Sequence, residues 1–533
     1  GPMSGFDSIV IGAGVNGLVA AATLARAGDR VLVLEAGETI GAEGALAEFA
    51  PGFHAAPLAM DAGWLPPPVA SELGLTGLPR VVPGTPLSVP SGEGEWLALA
   101  TGSAGAAEAI RRYSASDAGR WPAFAARIGR LASLLEALYV LPPPDIESSA
   151  LPDLLPLLGV ARKLRGMGRA GMIELLRVLP MSVQEYLDDE LECVPLKAAI
   201  GATGIMEIRQ GPRSGGTAFV LLHRQVGIPD GTIRGGGYWQ AGPDALVRAV
   251  GAVAERRGVV VRTGAEVVRI EAADERTTGV TLAGGETIAA RTVLSGADPA
   301  HTLLRLVDPV WLDPEFLLAV RNIKFRGGSA RVLFALDALP EFPGLPNSAD
   351  ALRGTLTLSR SLDEIERAAD AAKYGRISER PHVEVQLPSL RWPHLAPTGK
   401  HVLVASAQWA PYRLAEGSWT RERRDALGDA VVSAIAQVAP GFQNLVRERV
   451  VGSPAELEAT FGLTEGSVTQ GEMSLDQILF MRPVPGASRY ETPLRGLYLC
   501  GAGTHPGSGI PGGPGWLAAR QVLRNRRQRG KDS

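Results

Sequence analysis

Three glycines, Gly12, Gly14 and Gly17, stand between a short β-branched run, Ser8-Ile9-Val10-Ile11, and an Ala/Leu-rich stretch from Leu18 to Ala27 that Gly28 stops. Their spacing is G-x-G-x-x-G, with Ala13 and Asn16 between them. Such a turn cradles a pyrophosphate. The first glycine permits the sharp turn, the second lets backbone approach the phosphates, and the third lets helix and strand pack closely. The helix that starts there offers free N–H groups and the positive end of its dipole. Glu35 closes the next buried run, Val31 to Leu34, and Ala36 follows it. A carboxylate about 20 residues beyond the glycines accepts from ribose hydroxyls. Glu35 and Glu38 repel a 2′-phosphate, so the pattern predicts the ADP-ribose unit of FAD or NAD rather than NADP.

A second glycine cluster lies near the other end, where Leu497-Tyr498-Leu499-Cys500 runs into Gly501, Gly503, Gly507, Gly509, Gly512, Gly513 and Gly515. So much glycine after a strand predicts backbone pressed against a flat ligand, with Gly501, Gly503, Gly509, Ile510 and Pro511 in contact. The helix opening at Trp516 turns its positive end toward that ligand. A reduced flavin carries negative charge near N1 and C2=O and is stabilised by such a dipole, whereas an NAD enzyme needs no second loop of this kind. His505, inside the loop, has the pK range of a general base; the other reading is a structural histidine bonded to loop backbone. Glu43 reads either as an acid–base group whose pKa apolar surroundings raise or as a solvated loop carboxylate. The other histidines show no ligand spacing, Cys193 and Cys500 make no metal pattern, and there is no G-x-S-x-G elbow, so no metal is predicted.

The elements that must position these loops fall in blocks. The first strand, glycine turn, helix and second strand form a βαβ unit. From about residue 64 to 235 the patterns are helical, as in Ala107–Tyr113, Pro122–Leu138 and Ser182–Leu191. Val259–Arg262, Glu266–Ile270, Gly279–Leu282 and Thr287–Leu294 alternate like a meander. Arg331–Leu336, His382–Leu387 and His401–Ala407 read as strands and Arg421–Val438 as a helix. With 533 residues, 53 basic against 56 acidic, a net charge of −3 and 45% apolar residues, the chain is globular and not a general nucleic-acid binder. Two cysteines form no disulfide framework, Gly1-Pro2-Met3 reads as a protease scar, and no stretch is long and apolar enough for a spanning helix. The expectation is a cytoplasmic protein, with weak peripheral membrane contact through Leu154–Val178 or the basic residues after Arg520 as a secondary reading.

Both ends resemble the FAD-dependent phytoene desaturase and carotenoid isomerase family, and within it the branch of pyridine nucleotide-disulphide oxidoreductase domain-containing proteins. The resemblance covers most of the chain. It rests on Val10-Ile11-Gly12-Ala13-Gly14-Val15-Asn16-Gly17-Leu18, Pro51-Gly52-Phe53, Gln408-Trp409-Ala410-Pro411-Tyr412, Met473-Ser474-Leu475-Asp476-Gln477, Arg482-Pro483-Val484-Pro485 and Gly496 to Gly507. It implies an α/β fold in which a Rossmann-type FAD-binding domain is assembled from residues 5–63, 235–300 and 456–523. An α+β substrate domain is inserted as residues 64–234 and 301–455, and 524–533 form a basic tail. It places backbone of Val267 at the adenine and makes Trp239, Trp409, Tyr412 and Trp516 candidates for an apolar substrate wall, each of which also reads as core.

The chain departs from the family where backbone meets the flavin. A Gly-Gly pair becomes Gly41-Ala42, with Glu43 next, and a Thr-Glu becomes Leu46-Ala47. The second Gly-Gly becomes Ala241-Gly242, and Gly-Gly-Asn-Ile-Phe-His becomes Glu465-Gly466-Ser467-Val468-Thr469-Gln470. The implied reaction is dehydrogenation of an apolar or mid-sized organic substrate by hydride transfer to flavin N5, with oxygen or a quinone as candidate acceptors. The alternatives are a redox-neutral flavin isomerase and a non-catalytic flavoprotein that acts as a binding subunit.

Overall fold

The computed structural model describes residues 5–143, 173–228 and 231–532, with scattered positions between 162 and 171. Of Leu154–Val178, residues 154–161, 163, 164, 167 and 172 lie outside the described residues. A five-stranded parallel sheet carries the first glycine turn. Its order is Leu497–Leu499, Thr292–Ser295, Ser8–Ile11, Val31–Leu34, Val260–Arg262. Period-two alternation divides its side chains. Val10, Val31 and Val33 join the core formed with the helices Val15–Arg26, Ala245–Arg256 and Gly513–Asp532. Ile9, Ile11, Leu32 and Leu34 join the opposite core, closed by the antiparallel strands Val267–Ala273, Arg276–Leu282 and Thr287–Ala289. Strands buried on both faces read as continuous apolar runs, as SIVI and VLVL do.

The meander predicted over 259–294 divides between two sheets. Val260–Arg262 and Thr292–Ser295 enter the parallel sheet, and only the segments between them form the antiparallel one. Three- and four-residue strands carry too little pattern to name their partners. The helix predicted from Pro122 begins earlier, at Ala115, because the Ser114 hydroxyl caps it by accepting from Asp117 N, and it runs through Pro122 to Tyr139. The basic tail continues the last helix, and Arg526 Nη1 lies 2.6 Å from Asp29.

A seven-stranded mixed sheet occupies the other half, in the order Val446–Gly452, Ser329–Leu336, His401–Gln408, His382–Gln386, Thr355–Thr357, Leu87–Gly92, Glu95–Leu99. The helices Ala115–Tyr139, Val194–Gly204 and Thr217–Arg224 share a core with its last two strands. Among the described residues, no helix is long and apolar enough to cross a membrane.

Candidate functional site

The first glycine turn leaves the sheet where a ligand can meet it. Gly12 has φ +95, which favours glycine, and its N–H donates to Leu34 O at 2.8 Å. A Cβ at Gly17 would overlap the Gly12 carbonyl oxygen, so helix and strand touch only because this residue lacks one. No side chain caps the helix Val15–Arg26, and its first turn holds no acidic residue. Its free N–H groups are therefore open to an anion. Glu35 is buried, and its carboxylate accepts from Ala13 N at 2.7 Å and Gly37 N at 3.0 Å. Those bonds fix its position and leave lone pairs for ribose hydroxyls. The chain from Gly264 to Val267 runs beside it: Ala265 N donates to Glu35 O and Gly264 N to Gly37 O, each at 2.8 Å. Ala36 is exposed and Val267 buried.

Gly41, at φ +112, donates its N–H to Ala13 O at 2.8 Å, which lays the loop Gly41–Gly44 over the glycine turn. Ala42 takes φ +48, a left-handed conformation that costs an L-residue about 1–2 kcal/mol. Its methyl lies 3.7 Å from where a Cβ on Gly14 would be, so this departure from Gly-Gly adds bulk beside the phosphate turn. Glu43 keeps some accessible surface but lies deep in the fold. Burial raises its pKa; its own backbone N–H opposes this, and Glu35 and Asp298 add to the rise. A carboxyl whose folded pKa is raised favours the native state most below its unfolded pKa, and that advantage disappears as pH climbs through the folded pKa. Glu43→Gln should therefore stabilise the FAD-free protein more at pH 8 than at pH 4. Urea unfolding at the two pH values measures this, and equal differences at both would reject it.

The second glycine cluster meets the first. Cys500 N donates to Ser295 O at 2.9 Å and carries the chain past Gly296, whose carbonyl lies 2.5 Å from where a Cβ on Gly501 would sit. Gln470 ties these segments together: its Oε1 accepts from Gly503 N and its Nε2 donates to Gly296 O, both at 3.1 Å. Further on, Gly512 N donates to Asn16 Oδ1 at 2.9 Å, and a Cβ on Gly515 would overlap Asn16 O. Two helix starts, at Val15 and Gly513, thus lie side by side. Gly509, at φ +83, is exposed and accepts from Trp64 N at 3.0 Å; Ile510 is buried and Pro511 partly so. The uncapped helix start, the buried carboxylate of Glu35 and Gly12, where a Cβ would meet nothing within 4 Å, fit FAD. The ADP half would lie on Gly12–Gly17 and Glu35, the flavin against Gly501–Pro511.

Arg482 backs this loop. Its guanidinium is buried and donates to the carbonyls of Ala502, Gln477, Thr469 and Gly471. His505 is buried, and its Nε2 donates to Leu138 O at 3.0 Å. His223 Nε2 donates to Ser508 O at 2.7 Å, and its Nδ1 accepts from the Tyr139 hydroxyl at 2.7 Å. Burial pulls His223 down to about 3 and His505 to about 4, so both rings are neutral. An open cavity of about 320 Å³ is lined by Trp64, Leu65, Leu75, Leu78, Gly227 and Trp239, with the exposed Arg80 also on its wall.

The four aromatic candidates do not come together. Trp239 lines that cavity. Trp409 is fully buried, its indole N–H bonded to Ile208 O at 2.7 Å. The Tyr412 hydroxyl donates to Glu458 at 2.5 Å, and burial pushes it up to about 12. Trp516 lies in the core against the first helix, with the Arg520 guanidinium 4.6 Å over its ring. Sequence reasoning missed Trp64, Tyr139, His223, Arg224 and Gln470. Arg224 had a signal: a lone charge ending the apolar run Thr217–His223, with Val220, Leu221, Gly227 and Ile228 at helical spacing.

Residues 214–523 match the model of the flavin-containing amine oxidoreductases, and residues 10–65 that of an NAD(P)-binding Rossmann-like domain. The chain is 34% identical over 547 residues to pyridine nucleotide-disulfide oxidoreductase domain-containing protein 2 of Rattus norvegicus, covering 98% of this chain and 94% of the relative. It is 27% identical over 305 residues to a lycopene-forming phytoene desaturase of Paracoccus sp., 56% of each chain. The fold matches an oxidoreductase from Methanosarcina mazei at a TM-score of 0.57 and 17% identity, over 97% of this chain and 99% of that one. It also matches wild-type putrescine oxidase at 0.56 and 17%, over 98% and 100%.

Proposed function

The chain belongs to the flavin-containing amine oxidoreductase family and is an FAD-dependent oxidoreductase; from that premise we propose that it dehydrogenates an apolar or mid-sized organic substrate. The carrying observation is the cavity of about 320 Å³ lined by two tryptophans, three leucines, Gly227 and Arg80, one of whose tryptophans, Trp64, donates its backbone N–H to Gly509 O. Its size is at the lower end of small-molecule sites, and its tryptophan and leucine walls suit an apolar body, with Arg80 beside them for a polar group. Bound FAD supplies the acceptor for the two electrons. The chain's own part is placement. Trp64 fixes the mouth of the cavity through its bond to Gly509, and the helix start at Gly513 holds positive potential toward the loop. His223 and His505, neutral and engaged with carbonyls, hold the loop in place.

The test is anaerobic addition of candidate substrates to the purified yellow protein. A dehydrogenase bleaches the flavin as product forms. Conversion without bleaching would replace this reading with a redox-neutral isomerase, and neither event across a broad panel would favour a non-catalytic flavoprotein.

A further inference from the structure

We propose that Arg224 binds an anionic group of the substrate, so that the substrate is an organic acid with an apolar body. The inference rests on the dehydrogenase reading above and names its substrate class. Arg224 ends the helix Thr217–Arg224 and faces the glycine loop: its Nη1 lies 3.6 Å from where a Cβ on Gly509 would sit. It is partly accessible inside the fold, yet its Nε is buried without a hydrogen-bond partner, and no described residue forms an ion pair with it.

The surrounding charges are already matched. Arg331 pairs with Glu207 at 2.8 Å, and Ser329 also donates to that carboxylate at 2.5 Å. Arg234 pairs with Glu384 at 2.7 Å. Arg482 has no carboxylate but is saturated by four carbonyls. Arg224 is therefore a surplus cation, partly enclosed by the fold, with neither kind of partner. Burial is the largest influence on it and lowers its proton affinity; Glu207 opposes this, and Arg234 and Arg331 reinforce it. A buried charge is costly unless paired, and such a cost is sustained where a ligand completes the pair.

The position is fixed by its neighbour. His223, one residue before, is bonded on one side to Tyr139 and on the other to Ser508 O, which fixes the helix end that carries Arg224 against the loop. Gly227, a turn further on, packs against Trp64 and lines the cavity that Trp64, Trp239 and three leucines share with Arg80. A carboxylate at Arg224 could thus extend an apolar body toward Trp64 and Trp239 while remaining beside Gly509. The guanidinium fork suits a planar carboxylate, which it can bind through two parallel N–H groups.

Decanoate and decanamide, which differ only at the head group, are the probes. Their affinities for the wild-type holoprotein, Arg224→Gln and Arg224→Lys are measured by titration calorimetry and by the change each causes in the flavin spectrum. In wild type, decanoate should bind at least about tenfold more tightly than decanamide. Arg224→Gln should weaken decanoate by about thirtyfold or more and leave decanamide unchanged, and Arg224→Lys should restore part of the difference. Circular dichroism and dithionite-reducible flavin confirm that each variant is folded and loaded. Equal affinity for the two probes in wild type, or unchanged decanoate binding in Arg224→Gln, would overturn the proposal. So would a shift in flavin midpoint potential as the sole effect of Arg224→Gln, since Arg224 would then serve the cofactor. Calorimetry on FAD-free protein separates this failure from that of the dehydrogenase reading, because it scores acid binding without turnover.

Discussion

Gly14→Val should yield a folded, colourless protein. Gly14 has φ −74 and ψ 176, a conformation open to any L-residue, and a Cβ there meets only the Ala42 methyl at an ordinary 3.7 Å. The valine methyls point into the space in front of the turn, where a pyrophosphate would lie against the free N–H groups of the helix start. FAD-free Gly14→Val should match the FAD-free wild type in stability to within about 1 kcal/mol. It should also lack the stabilisation that saturating FAD confers, about 2.7 kcal/mol at a hundredfold excess over the dissociation constant. Gly17→Ala provides the contrast. Its Cβ overlaps the Gly12 carbonyl oxygen and comes within 3.2 Å of Val10 Cγ1, and Gly12 is held by its bond to Leu34. That overlap lies between backbone segments and should cost about 3 kcal/mol or more with or without cofactor. Bound flavin per chain and melting with and without added FAD separate the two cases. A yellow Gly14→Val would show that the turn does not hold the dinucleotide.

The contrast between Gly14 and Gly17 also shows how far the sequence could be read. The pattern G-x-G-x-x-G placed strand, turn and helix correctly because every contact it encodes is local: a Gly12 turn, a Gly17 packing point, a carboxylate at the end of the adjoining strand. The helix Arg421–Val438 was legible to the residue, since a polar first turn leads into Leu427, Val431 and Ile435 at helical spacing. The meander was not, because Thr287–Leu294 alternates smoothly although it breaks at Ala290-Arg291 to change sheets. Contacts between distant segments were equally hidden. Nothing near His505 in the chain announces that its partner is the Leu138 carbonyl, or that Tyr139 would stand between His505 and His223 with its ring 5.7 Å from one and 5.5 Å from the other. A lone histidine in a glycine loop suggests a base. Only the packed structure shows both ring nitrogens of His223, and the Nε2 of His505, already committed.

That packing makes the protein acid-sensitive. In an unfolded chain His223 and His505 bind protons near pH 6.5, whereas in the native fold burial depresses them to about 3 and about 4. Arg224 and Arg482 lower His223 further, and Arg482 acts likewise on His505, while the carbonyls of Ser508 and Leu138 partly offset the shift. A group with a depressed folded pKa binds more protons when unfolded, so its stabilisation is complete above pH 6.5 and is lost as pH falls toward the folded value. Each histidine should contribute a slope of about 1.4 kcal/mol per pH unit in that window. Together they should remove about 3 kcal/mol between pH 6.5 and 5. Glu43 and Glu472, whose pKa values are raised, act in the opposite sense, so the histidine share must be isolated by difference. His505→Asn should be less stable than wild type at pH 7, because Leu138 O loses a well-placed donor. The gap should narrow by about 2 kcal/mol at pH 5, where wild type alone bears the cost of keeping position 505 unprotonated. Urea unfolding of both proteins at the two pH values measures this, and an unchanged gap would mean that His505 titrates as an exposed histidine does. The same depression bears on catalysis. A ring that stays neutral from pH 8 down to about 4 contributes no inflection near pH 6.5, so any inflection there in the rate of flavin reduction would belong to another group or to the substrate.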